Sequence, residues 1–291
     1  MAVTAGRKNN YQQLLHVSPA TSEYQYCGEQ HFLEVFDSEY HAFEKDTTGR
    51  RSQFFIMSNV GEKTFSETFS SPDPQKRIFS NSSFEYIPDH SLLLVKMRTA
   101  VHEQAHEGLN TLIVGKFTLM NGLGLQLQQM GQVSITSNGR TKAADKTYRP
   151  KDLPQGRSPL WPTVIIEAGY SEEKVKLADD ARWWLLEADG DLKTALTISI
   201  HTKRKESTVE KWELIPRPTR QDKNKKVAEV TGHIVMSQKE DDPIDVTGHP
   251  LTLPFEHFFL RPANPGEGDI ILDKSEMEII AELVWNVHPK V

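Results

Sequence analysis

The spacing of apolar positions changes several times along the chain, and each change marks an element. Val101, Ala105, Leu109, Leu112 and Ile113 recur at three- and four-residue intervals, which predicts a helix over residues 99–120. Asn121-Gly-Leu-Gly124 ends it. Leu125, Leu127, Val133 and Ile135 then suit strands, and a short extended piece carrying Asp145 stops at Pro150. A loop with Pro154, Gly156, Pro159 and Pro162 leads into Val164-Ile165-Ile166, a β-branched run that reads as a core strand. Ser171 suits an N-cap, and Glu172 and Glu173 suit the positive end of a helix over residues 172–187. That helix carries an apolar stripe at Leu177, Ala181, Trp184 and Leu185, and Gly190 ends it. Residues 192–200, 208–215, 227–236 and 251–259 read as strands, and 274–285 as a terminal helix. The order from 99 to 200 is helix, strand, strand, strand, helix, strand.

Residues 1–90 have no sustained helical period and are rich in Ser, Asn, Gln and aromatic residues. Residues 32–36 and 53–57 read as short strands there, and 70–74 as a loop. The expected organisation is an irregular β-rich region over 1–90, then a mixed α/β domain with a C-terminal extension over 91–291.

Composition narrows the class. A chain of 291 residues can bury a sizeable core in one large domain or two small ones. At 37% hydrophobic and 25% charged residues it reads as globular. No apolar run reaches the ~18 residues of a membrane span, and the N-terminus lacks the apolar core of a signal peptide. The lone Cys27 leaves no internal disulfide and no cysteine-rich zinc site. A cytoplasmic or nuclear location is the expectation. Net charge is −6, yet residues 203–226 hold nine basic and four acidic side chains. Residues 140–151 likewise hold five basic residues and one acid, Asp145. Such local patches matter more for phosphate binding than the average does; as solvated loops they need no function.

Glu167 follows the Val164-Ile165-Ile166 run directly. A carboxylate at the end of a buried strand is costly unless something pairs with it or binds it. Asp145 supplies a second carboxylate 22 residues upstream, on a neighbouring strand. Two such groups repel, and Mg²⁺ or Mn²⁺ with its preference for oxygen ligands relieves that repulsion.

Several segments together carry a family resemblance: Lys142-Ala-Ala-Asp145, Tyr148-Arg149-Pro150, Trp161-Pro-Thr-Val-Ile-Ile-Glu167-Ala-Gly-Tyr-Ser171, Leu177-Ala-Asp-Asp180-Ala-Arg-Trp-Trp-Leu185, Leu196-Thr-Ile-Ser-Ile200, Lys211-Trp-Glu-Leu214, Leu251-Thr-Leu-Pro-Phe255 and Phe259-Leu-Arg-Pro262. They resemble the PD-(D/E)XK nuclease superfamily, and within it a restriction-endonuclease-like family of uncharacterised fungal proteins. The resemblance implies an αβββαβ core over roughly residues 95–290, and metal-dependent hydrolysis of phosphodiester bonds in DNA. Asp145 matches the superfamily aspartate and Glu167 its acidic strand residue, as ligands for Mg²⁺ or Mn²⁺. Glu103 on the first core helix matches a glutamate often added to that site. The superfamily usually places a lysine two residues after the acid, on the same strand face. Position 169 is glycine here. Lys174 and Lys176 on the following helix are the alternatives, and the resemblance favours Lys176. Arg149, Lys203 and Arg204 are the expected contacts to the nucleic-acid backbone, and a homodimer is compatible with the family.

Two other readings stand beside this one. Gly169 and the acidic net charge suit an inert nuclease fold that binds nucleic acid or protein. His102-Glu103-Gln-Ala-His106 fits H-E-x-x-H on a helix, the zinc-peptidase pattern in which two histidines bind the metal and the glutamate is the general base. Asp180 reads as a structural partner of Lys176 or Arg182, and Trp183-Trp184 as core packing.

Overall fold

The computed structural model describes residues 11–46, 48–70, 82–131, 133–240 and 242–288. In chain order its principal elements are β1 (Ser22–Gln25), α1 (Glu29–Glu44), β2 (Phe54–Ser58), β3 (Ser82–Ile87), β4 (Leu92–Met97), α2 (Ala100–Leu119), β5 (Leu127–Gln129), β6 (Ser134–Ser137), β7 (Arg140–Ala143), β8 (Lys146–Pro150), β9 (Val164–Tyr170), α3 (Lys174–Glu187), β10 (Thr194–Ile200), β11 (Glu206–Pro216), β12 (Lys226–Ser237), β13 (Asp245–Thr247), β14 (Leu251–Leu253), β15 (Ile270–Leu272) and α4 (Lys274–Asn286).

Two sheets carry most of the strands. One has the order β13-β12-β11-β10-β9-β8-β5, the other β1-β2-β4-β3-β7-β6. Within the first, β5 and β8 are antiparallel, β8 and β9 are antiparallel, and β9 and β10 are parallel. Parallel neighbours need a crossover, and α3 makes it. With α2 ahead of them these elements form an αβββαβ core in a mixed α/β protein, as the resemblance implies. The insertion β6–β7 leaves this core and joins the other sheet through β3.

Alternation along β9 sends side chains to opposite sides. Val164, Ile166, Ala168 and Tyr170 enter a large cluster that includes Val101, Ala105, Leu109 and Ile113 of α2. Ile165 lies in a second cluster with Trp161, Trp183 and Trp184. Both Trp183 and Trp184 are buried, as core packing requires.

Several local expectations change. Residues 32–36 are helical, not extended: Phe32, Val35, Phe36 and Phe43 bury one face of α1, and that three- and four-residue spacing is a helix signal. The stretch 251–259 is a strand only to Leu253; after Pro254 it turns into a short helix, Phe255–Phe259. Leu125 sits in a 3-10 turn and is exposed. Helix α3 begins at Lys174 after a 3-10 turn over Ser171–Glu173, so Ser171 does not cap it. The loop expected over 70–74 lies, beyond Ser70, outside the described residues. A division at residue 90 falls inside the β3–β4 hairpin, whose strands are hydrogen-bonded neighbours. The large cluster also joins residues from both sides of it, Phe32 and Phe55 with Ile166 and Ile198.

Candidate active site

Asp145 occupies a bend between β7 and β8, one residue before the strand expected to carry it. Because Lys146 pairs with Ile166, Asp145 arrives beside Glu167. Its Oδ2 accepts three hydrogen bonds, from Ala168 N at 2.8 Å, Lys96 Nζ at 2.9 Å and His102 Nε2 at 3.0 Å. Its Oδ1 is buried with no hydrogen-bond partner. Glu167 lies on the Ile165 face of β9, where Trp184 Nε1 donates to Oε1 at 3.0 Å and Lys96 Nζ stands 3.5 Å from Oε2. One ammonium therefore serves both acids, and it belongs to Lys96.

Sequence reasoning missed Lys96, although the signal that exposed Glu167 was present. Leu92-Leu-Leu-Val-Lys-Met97 is an apolar strand with one charge inside it, and all six residues are buried. In the interior such a lysine needs an anion.

Burial pushes Glu167 up to about 8; the Lys96 charge opposes the rise and Asp145 adds to it. Burial also works to raise Asp145, but the His102 and Lys96 charges outweigh it and hold that carboxyl well below its ordinary range. Lys96 is penalised by burial, yet Asp145 and then Glu167 raise it above the usual lysine value. Near neutral pH the trio thus holds one carboxylate, one ammonium and one neutral acid. Asp145 Oδ1, buried without a hydrogen-bond partner, and the carboxyl of Glu167 on the adjoining strand are oxygen donors of the kind a hard divalent cation takes.

Lys176, the lysine favoured from sequence, is turned to other partners. It hydrogen-bonds Glu85 and lies 2.6 Å from Asp180, one helical turn along. Lys142 also bonds Asp180 and stands 3.5 Å from Glu85, and Arg140 Nε stands 2.7 Å from Glu85. Burial works to raise Asp180, while Lys142 and Lys176 hold it well below its ordinary range, so its expected structural pairing is present. Glu85, Lys96, Lys142, Glu167, Lys176 and Asp180 line one cavity of about 30 Å³, room for about one water. Lys176 thus shares a cavity with Glu167, while Lys96 touches both acids.

Gly169 has a steric reason. A Cβ there would lie 2.9 Å from Gln53 Nε2 and 3.2 Å from both methyl carbons of Leu177. A side chain on β9 at this position requires the Gln53 amide and the Leu177 methyls to shift.

Glu103 does not join the acids directly. Arg98 grips it through Nε at 2.5 Å and Nη2 at 2.7 Å, and His102 and His106 flank it. His102 connects it to Asp145. Burial works to raise Glu103, but His102, His106 and Arg98 beside it hold it far below the ordinary range. Among the expected backbone contacts, Arg149 lies four residues beyond Asp145 along β8, about 13 Å at strand rise. It is tied to Gln128 Oε1 at 2.9 Å and to the Pro159 carbonyl. Lys203 and Arg204 are exposed in the turn between β10 and β11.

Strand order and the crossover helix α3 define a mixed α/β fold with an αβββαβ core. No protein-family model matches the chain, and no curated protein matches it. Among solved structures it is similar to a protein of Anabaena variabilis, assigned to DUF820 and described provisionally as a nuclease. The two share 10% identity over 73% of this chain and 95% of that one, with a TM-score of 0.38, too distant to assign a site. Among the described residues no helix is long and apolar enough to cross a membrane.

Proposed function

We propose that this chain is a metal-dependent phosphodiesterase acting on DNA, related to the restriction-endonuclease-like fungal family it resembles. One observation carries the reading: Lys96 Nζ contacts both Asp145 and Glu167, which restores the acid–acid–lysine set that Gly169 interrupts. Asp145 and Glu167 would hold Mg²⁺ or Mn²⁺, which when bound supplies Lewis-acid stabilisation of phosphoryl charge. The protein's own groups supply the rest. Ala168 N and Trp184 Nε1 orient the two carboxyl groups, and His102 braces Asp145. Lys96 provides a fixed positive charge beside the acids, where charge develops during phosphoryl transfer. Lys176 supports that position from the same cavity through Glu85 and Asp180. Lys203 and Arg204, in an exposed turn, would meet a phosphate backbone without reading sequence.

Burial favours a second reading, an inert nuclease fold that binds nucleic acid or protein. Asp145 is 2% exposed, Glu167 6% and Lys96 7%, with Phe54, Phe84 and Leu94 of the six-stranded sheet closing over the cavity. A plasmid-nicking assay with Mg²⁺, Mn²⁺ or EDTA separates the two. Nicking that needs metal and is lost in Asp145→Asn and Lys96→Met supports the nuclease. DNA binding without cutting under any metal supports the inert fold.

A further inference from the structure

One turn of α2 gathers a second set of ligand atoms. His102 Nδ1 lies 3.3 Å from Glu103 Oε1, and His106 Nε2 lies 3.3 Å from Glu103 Oε2. One ligand atom from each of the three side chains can be chosen so that all stand within 4.8 Å of one another. Both histidines are fully buried, and neither ring nitrogen of His106 has a hydrogen-bond partner. A buried imidazole left in that state requires a reason. The 3.3 Å separations supply one. They are long for charge-assisted hydrogen bonds, which run about 2.7–2.9 Å. They match a tetrahedral edge, because metal–ligand bonds of about 2.0–2.1 Å place neighbouring ligands about 3.3–3.4 Å apart.

We propose that His102, Glu103 and His106 form a site for Zn²⁺ or a similar divalent transition metal, distinct from the Asp145–Glu167 pair. Two imidazoles and one carboxylate are the donors such ions take. The arrangement fixes which nitrogen of His102 is the ligand. Its Nε2 faces Asp145 Oδ2 at 3.0 Å, so with Nε2–H donating to that carboxylate the Nδ1 lone pair is left for the metal. Carboxylate, imidazole and metal in series is the usual way a protein orients a ligating histidine. Glu103 is half-exposed and opens the site to solvent. This is not the peptidase arrangement that the H-E-x-x-H spacing suggested. Glu103 places one oxygen toward each ring, as a ligand would, rather than standing apart as a general base. Arg98 is the competing cation, since it holds both Glu103 oxygens.

The site stands apart from the nuclease reading and is tested by metal uptake alone. Untagged full-length protein, stripped with chelator, is titrated with Co²⁺ and followed by its visible absorption and by calorimetry; Zn²⁺ is then added as competitor. The expected result is one Co²⁺ per chain with a low-symmetry imidazole–carboxylate spectrum, displaced by Zn²⁺. Uptake persists in Glu167→Gln, weakens at least tenfold in Glu103→Gln and His106→Ala, and tightens severalfold in Arg98→Ala. Glu103 is half-exposed, so its variant tests the site even if His106→Ala does not fold. No uptake, uptake unchanged in Glu103→Gln, or uptake lost only in Glu167→Gln overturns the proposal.

Discussion

Lys96 and Asp145, 49 residues apart in sequence, meet at 2.9 Å inside the protein. Strand β4 brings the ammonium from one sheet, and the bend before β8 brings the carboxylate to the edge of the other. Removing the ammonium leaves a buried acid pair without its cation. Lys96→Met is expected to cost roughly 3–5 kcal/mol of stability, the scale of an orphaned buried charge. Chemical denaturation measures the loss, and adding Asp145→Asn should recover part of it. A Lys96→Met variant as stable as the parent would show that the contact is unimportant.

The usual nuclease lysine should not be transplantable to the strand. Gly169→Lys is expected to cost roughly 1–3 kcal/mol through overpacking against Gln53 and Leu177. Gln53→Ala in the same chain removes the nearest obstacle, the amide 2.9 Å away, and should restore much of the loss. Equal stability of Gly169→Lys and the parent would contradict the steric account.

Glu167 makes stability depend on pH in a defined direction. Its folded value, about 8, lies above the ordinary value of 4.5, so the fold prefers the protonated acid. The stability this contributes is complete below about 4.5 and is lost as pH rises through about 8. Glu167→Gln cannot ionise and lacks that loss. The stability of the Gln variant relative to the parent should therefore rise between pH 5 and pH 9, by at least ~1.4 kcal/mol, the scale of one pKa unit. Thermal or urea melts of the metal-free proteins at the two pH values decide it, and parallel profiles would refute it.

Trp184 Nε1 holds Glu167 Oε1 at 3.0 Å, and that bond opposes the upward shift of the acid. Trp184→Phe keeps an aromatic ring but deletes the donor. The expectation is a loss of roughly 1–2 kcal/mol and a Glu167 titration moved to higher pH. Carbon-13 NMR of the side-chain carboxyl would follow it; an unmoved or lowered midpoint would count against the bond.

Local periodicity made part of this legible. The 3.6-residue pattern located α2, and the β-branched run located β9. The same rule, a charge inside an apolar run, singled out Glu167. It applied equally to Lys96, but the segment stood at an assumed boundary near residue 90, and its strand was not read. In α1 the aromatic residues at 32 and 36 suggested extension, while the full set Phe32, Val35, Phe36 and Phe43 is helical. A short window could not tell the two periods apart.

What the sequence by itself determined is the inventory: which segments bury a face, which carboxylates lie on or beside adjoining strands, and which histidines share a helical turn. These follow from backbone geometry within a few residues. Only the tertiary structure decided the partners. Lys96 reaches Asp145 and Glu167, Lys176 turns to Glu85 and Asp180, and Gln53 fills the space a side chain at 169 would need. Each choice depends on how two sheets pack across long stretches of chain. A buried charge must find its counter-charge wherever packing delivers one, and the spacing of residues along the chain carries no record of that distance.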